Sequence, residues 1–161
     1  WWTKYGVHFY CGVPDSVLKE FCGALPFQNP SRHMIAADEG GAIALAAGYY
    51  LASGKIPLVY MQNAGLGNAV NPLTSLINKE AYGIPMILFI GWRGEPGSDD
   101  EPQHIKEGES LLPMLNVLGI PYTLFPQTIP RAKKAMAHAI HIAKKQNVPY
   151  ALIVRRGTFT L

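Results

Sequence analysis

The 161-residue sequence predicts a single α/β domain, residues 1–161, built on a parallel sheet of about six strands with helices on both faces. Three observations carry that expectation. Short apolar runs alternate with helical patterns along the whole chain, which implies repeated strand–helix–strand units. Four of the runs follow the same kind of junction: Ile56-Pro57, Ile84-Pro85, Ile120-Pro121 and Val148-Pro149. Proline is tolerated at the first position of a strand, where its missing N–H costs no central ladder bond. Hydrophobic residues make up 48% and charged residues 16%, enough apolar side chain for an independent core and too little charge for a disordered tail.

The elements follow in order. His8–Cys11 reads as the first strand, and Ser16–Leu25 as a helix opened by Asp15 as capping residue. His33–Ala37 is strand-like and leads into the Ala-rich helix Gly40–Ser53, which Gly54 stops. Pro57–Met61 is a strand, and Asn68–Tyr82 a helix after a Gly-rich turn, with Pro72 near its start. Pro85–Ile90 is the clearest buried strand. Residues 92–108 read as a long polar loop, after which Ser110–Leu118 resumes a helical pattern. Tyr122–Phe125, Thr128–Gln146 and Tyr150–Val154 give strand, helix and strand.

Charge and composition narrow the function. The formal charge of +3 is modest but uneven: residues 95–110 hold six of the eleven acids, while 131–156 carry seven Lys/Arg and no acid. That basic run is spaced like a solvated helix face, so no nucleic-acid partner is expected. No apolar run approaches the roughly 18 residues of a membrane span, no secretory leader is visible, and Cys11 and Cys22 make no disulfide framework. A reduced, cytoplasmic protein is expected. Trp1-Trp2 is not an initiation site, which leaves the true N-terminus open.

Several familiar motifs fail. Gly65-Leu66-Gly67 lacks the third glycine of a dinucleotide fingerprint, since Val70 stands there, and reads as a tight strand-to-helix turn. Gly54-Lys55 lacks both the spacing and the hydroxyl of a phosphate loop. The five histidines are scattered, so no metal site is expected in this chain. No G-x-S-x-G elbow exists.

What remains lies in four loops at the carboxyl ends of strands, where ligands bind in such sheets: Gly12–Asp15, Asp38–Gly41, Gln62–Asn68 and Gly91–Gly108. Asp38-Glu39-Gly40-Gly41 follows a strand and opens a helix. Acids there are favoured by the helix dipole, but two glycines in a first turn each cost about 0.5–1 kcal/mol against Ala. They are explained if something approaches the backbone closely. Ala42, Ala44, Ala46, Ala47 and Gly48 then allow tight contact with a neighbouring helix or subunit. Turn formation and capping account for Asn63 and Asn68 without any ligand. Tyr5, Tyr49, Tyr50 and Trp92 read as packing residues.

The stretch Ala37–Lys55, ADEGGAIALAAGYYLASGK, resembles the strand-to-helix turn of pyrimidine-binding domains in thiamine diphosphate enzymes. Gly12-Val13-Pro14-Asp15, Gln62-Asn63-Ala64-Gly65-Leu66-Gly67-Asn68 and Asp100-Glu101-Pro102-Gln103-His104 occur in the same order as in that family. Together they resemble the family of phosphonopyruvate decarboxylase and the alpha subunit of sulfopyruvate decarboxylase, over nearly the whole chain. The resemblance implies the thiamine diphosphate-binding (pyrimidine) domain fold and decarboxylation of a small anionic 2-oxo acid. Phosphonopyruvate is the first expectation and sulfopyruvate the alternative. A non-catalytic dimerisation or regulatory module is the alternative of another class.

Residue by residue, Glu39 matches the glutamate that hydrogen-bonds the cofactor's pyrimidine, and Gly40, Gln62, Asn63 and Gly65 fall on the loops that border it. Asp15 resembles the acid after the Gly-Val-Pro turn that assists protonation steps, beside its capping role. His104 stands singly, after Gln103, where simple pyruvate decarboxylases carry two adjacent histidines. Asn71, Arg93 and His104 are the candidates for substrate binding, with Arg93, His104 and Lys106 expected on one long loop. The family's magnesium and diphosphate are held by a second domain with a Gly-Asp-Gly…Asn segment, and no Gly-Asp-Gly occurs here. The resemblance therefore implies half a site, completed by a diphosphate-binding domain or beta subunit. It also implies self-association through the helix Ala42–Ser53.

Overall fold

The computed structural model describes residues 2–25, 29 and 31–159; positions 1, 26–28, 30 and 160–161 of the expected domain lie outside it. Six strands form one all-parallel sheet: β1 (Tyr10–Gly12), β2 (His33–Ile35), β3 (Leu58–Gln62), β4 (Ile87–Trp92), β5 (Tyr122–Leu124) and β6 (Tyr150–Arg155). Their spatial order is β2-β1-β3-β4-β6-β5. The intervening helices are α1 (Lys19–Gly23), α2 (Glu39–Ser53), α3 (Leu66–Ser75), α4 (Pro102–Val117) and α5 (Ile129–Gln146).

Alternation along the strands divides the core in two. Val59 and Met61 of β3 and Leu88 and Ile90 of β4 pack under α2, α3 and α4, with Ala42, Ala46, Leu66 and Leu115. Leu58, Tyr60, Ile87 and Phe89 face the other way, against Leu18, Met136, Ala139 and Ile140. Both faces are therefore apolar, as a parallel sheet covered on both sides requires. The prolines act as expected at strand entries: the Pro57 carbonyl accepts from Ile87 N–H at 3.0 Å, and the Pro121 carbonyl from Ala151 N–H at 2.9 Å.

Helix ends follow local chemistry. Asp38 caps α2 by accepting from the Gly41 N–H at 2.7 Å, and Gly54 closes the helix at φ +66°. Pro72 lies inside α3 and has no N–H for the Asn68 carbonyl one turn back, and that carbonyl rests against Gly40 of α2. A Cβ at Gly40 would stand 2.9 Å from it. The close approach expected at this glycine is made by the neighbouring helix.

Three expectations are corrected. The helix expected over Asn68–Tyr82 starts earlier, at Leu66, and ends at Ser75, after which 76–82 turn back through bonds such as Ile77 N–H to the Pro72 carbonyl. The helix expected from Ser16 begins at Lys19, because Asp15 turns its carboxylate to the Val17 N–H in a local loop. The polar loop 92–108 is half helix: α4 begins at Pro102, whose fixed φ suits a first helical position. His104 and Lys106 therefore stand on α4 and do not share a loop with Arg93. The small residues of α2 are divided: Ala42, Ala46 and Ala47 are buried against the domain's own core, as contact with a neighbouring helix requires, and Ala44, Leu45, Gly48 and Leu51 face out. No helix among the described residues is long and apolar enough to cross a membrane.

Candidate functional site

The chain reverses direction across the sheet at β1, which lies between β2 and β3. A crevice beyond the carboxyl ends of strands is expected at such a switch point. Two buried acids stand there, Asp15 after β1 and Glu39 after β2, and each occupies a slot that only glycine leaves open. A Cβ at Gly91 would lie 2.0 Å from Asp15 Oδ2, and a Cβ at Gly65 would lie 2.3 Å from Glu39 Oε1.

Glu39 is the first residue of α2 and 91% buried, being 9% exposed. Its Oε2 accepts a hydrogen bond from Asn68 Nδ2 at 2.9 Å. Among the described residues nothing donates to its Oε1, which sits against the Gly65 backbone. The carboxylate thus has one oxygen tied and one free at the edge of an apolar helix. Asp15 is held more fully: Oδ2 accepts from the Val17 N–H at 3.1 Å and Oδ1 from Gln62 Nε2 at 2.9 Å.

The next layer ties β3 to β4. Asn63 donates from Nδ2 to the Arg93 carbonyl at 3.0 Å and accepts at Oδ1 from the Arg93 N–H at 2.8 Å. Its amide, a candidate for ligand contact from sequence, is occupied by the neighbouring strand end. Arg93, expected to offer its charge to an anionic substrate, binds Asp100 through Nε at 2.8 Å and Ser16 Oγ through Nη1 at 3.2 Å. The Asp100 carboxylate also accepts from the Gly94 N–H at 2.8 Å, so this half-buried acid staples the turn after β4. His104 faces Glu107 across 3.1 Å on α4, and Asn71 is exposed on α3, accepting from Ser75 Oγ. The structure brings Glu39, Gly40, Gly65 and Asn68 together, and Asp15 and Gln62 together. It leaves Asn71 on the α3 surface and His104 paired on α4.

The Arg93 guanidinium beside Asp100, helped by two backbone N–H donors, holds its carboxyl well below the usual carboxylate value of 3.8. A depressed folded-state value means the staple stabilises the fold above about pH 4 and loses that contribution as pH falls further. Asp100→Asn is therefore expected to lower the melting temperature at pH 7. The gap to wild type should close as pH drops below about 4 in a calorimetric series; a gap independent of pH would remove the ion pair from the account.

Asn68 was legible only as a turn residue, and its bond to Glu39 spans 29 positions of sequence. Gly65 gains its reason only in the fold: its αR backbone does not itself require glycine, and the Glu39 carboxylate fills the space a Cβ would take.

The family described as the N-terminal TPP-binding domain of thiamine pyrophosphate enzymes matches residues 1–111. The chain belongs to this family. It is 34% identical over 155 residues to phosphonopyruvate decarboxylase of Streptomyces viridochromogenes, which covers 96% of the chain and 38% of that protein. It is 33% identical to sulfopyruvate decarboxylase subunit alpha of Methanocaldococcus jannaschii, covering 91% of the chain and 84% of that subunit. The thiamine diphosphate-dependent 4-hydroxybenzoylformate decarboxylase of Rhodococcus jostii superposes with a TM-score of 0.67 at 19% identity, over 98% of this chain and 29% of that one. That likeness shows the fold. This TPP-binding domain thus spans little more than a third of the phosphonopyruvate decarboxylase it matches and most of the sulfopyruvate subunit.

Glu39 with its free Oε1 is chemically suited to a TPP-binding domain. A half-enclosed carboxylate oxygen without a donor among the described residues is able to exchange a proton with a ring nitrogen.

Proposed function

We propose that this domain is the pyrimidine-binding half of a thiamine diphosphate-dependent 2-oxo acid decarboxylase, with phosphonopyruvate as its substrate and phosphonoacetaldehyde and CO2 as products. The observation that carries the reading is Glu39: buried, fixed through Oε2, and free at Oε1. When bound, the cofactor supplies an electron sink for the electrons left by departing CO2. Glu39 takes and returns a proton at Oε1. Gly40 and Gly65 keep the backbone low beside it, and Asp15, oriented by Gln62 and the Val17 N–H, is the second acid at the crevice.

The other half of the site comes from a diphosphate-binding domain or beta subunit, which holds magnesium and the diphosphate. The exposed ridge Ala44, Leu45, Gly48 and Leu51 on α2, adjoining Glu39, is the surface for that partner or for a second copy of the chain. Of the arginines beyond the carboxyl ends of β4 and β6, Arg93 is paired with Asp100 and Arg155 with Glu95, while Arg156 donates to the Asp99 carbonyl. With Arg93 and Arg155 committed, recognition of the substrate's second anionic group draws on the partner half.

Sulfopyruvate is the second reading, favoured by the match to the archaeal subunit over most of its length. The test joins this chain to its diphosphate-binding half with thiamine diphosphate and magnesium, and offers phosphonopyruvate, sulfopyruvate and pyruvate in parallel. Fastest aldehyde release is expected from phosphonopyruvate. Preference for sulfopyruvate would keep the mechanism and change the substrate, and no aldehyde from any of the three would overturn the reading.

A further inference from the structure

We infer that Asn68 is a positioning residue that decides which oxygen of Glu39 handles the proton; the inference rests on the role proposed for Glu39. Three contacts define the arrangement. Asn68 Nδ2 donates to Oε2 at 2.9 Å. The Gly65 backbone closes against Oε1 and the side-chain carbons, so tightly that a Cβ would stand 2.3 Å from Cδ. The Asn68 carbonyl, relieved of a helical partner by Pro72, lies against Gly40 one residue beyond the acid. The first turn of α3 is thereby keyed onto the first turn of α2 through both the backbone and the side chain of one residue.

The chemistry follows from the donor. An amide N–H aimed at Oε2 stabilises negative charge on that oxygen and opposes its protonation, since a proton there would face another proton. Oε1 has no such donor among the described residues, so the proton resides on and leaves from Oε1. Because α2 and α3 are joined at this point, Oε1 keeps one direction. Without Asn68 the carboxylate is able to rotate about its last bond, and the two oxygens become interchangeable.

Two variants separate this role from packing. Asn68→Ala removes the donor from a side chain at the surface end of the pair, and Asn68→Asp keeps its shape while exchanging donor for acceptor. The first measurement needs no cofactor: the carboxyl carbon resonance of Glu39 in selectively labelled chain is expected to move in both variants and to stay fixed in Thr74→Ala, an exposed control on α3. The second uses the chain with its diphosphate-binding half and follows exchange of the bound cofactor's thiazolium C2 proton in D2O. Exchange is expected to slow by about ten- to hundredfold, the worth of a hydrogen bond to a charged group. In Asn68→Asp the optimum of exchange should move to lower pH, where the new carboxyl is protonated and donates again.

A Glu39 resonance unmoved by both substitutions, or exchange within twofold of wild type with an unshifted pH profile, would overturn the inference. Glu39→Gln run alongside separates the two levels: if it also leaves exchange unchanged, the proposed role of Glu39 has failed, and if it alone slows exchange, only the role of Asn68 has.

Discussion

Glu39→Gln is expected to reduce decarboxylation by the completed enzyme about 10²- to 10⁴-fold, the range that a positioned acid–base group contributes. The substitution is informative because so little else changes. Glutamine has the same length and keeps a carbonyl oxygen for Asn68 Nδ2, so the one hydrogen bond of the side chain survives. The atom replacing Oε1 becomes an amide nitrogen in the same slot beside Gly65, where it holds its protons and exchanges none at working pH. The melting temperature should stay within about 2 °C of wild type, since volume and pairing are preserved. Steady-state rates with the three 2-oxo acids, taken beside a thermal melt, read both quantities. A rate loss under tenfold would remove Glu39 from the proton chemistry.

The second large effect is expected from Gly65→Ala, a residue with no functional group. Its backbone lies in the right-handed helical region, φ −66° and ψ −15°, so alanine is conformationally welcome and would by itself stabilise the chain slightly. Every loss must then come from the methyl group. That methyl would stand 2.3 Å from Cδ and Oε1 and 2.4 Å from Cγ of Glu39, far inside the 3.5 Å of carbon contact. The acid must move, and its tie to Asn68 breaks as it does. Activity should fall at least a hundredfold, with stability lower by about 1–3 kcal/mol for the overpacking. Glu39→Ala in the same chain removes the obstruction, so the double variant should regain stability and no activity, a coupling readable by a double-mutant cycle. A Gly65→Ala enzyme of normal rate would show that the carboxylate works from another position.

How far the site was legible in sequence depends on the distance over which its parts act. Glu39 was visible because local pattern marks it: an acid at a strand-to-helix turn, followed by two glycines whose helical cost needs a cause. Its companion Asn68 was not, since asparagine in a Gly-rich turn already has a local explanation. The segment that contains Arg93 departs from the expected long loop for a related reason. Its density of Gly, Pro and acidic residues looks like irregular chain, yet Pro102 is favourable at a helix start and Gly108, Leu111 and Leu115 give the helix that follows a buried face. Glycine at 108 reads as a helix breaker alone. In the fold it is the one residue that lets the Gly94 carbonyl approach, which a Cβ would meet at 1.7 Å.

By itself the sequence determined the order of strands and helices, the all-parallel sheet, the strand ends at which Asp15 and Glu39 stand, and the family, because each rests on periodicity, turn chemistry or contiguous motif. Only the tertiary structure decided which polar groups are available. It committed Arg93 to Asp100 and Asn63 to the end of β4, and it tied one oxygen of Glu39 while leaving the other open. The physical reason is that a polar atom shut away from water must find a partner while one that reaches the surface need not, and the fold decides which by the helices and strand ends it sets side by side.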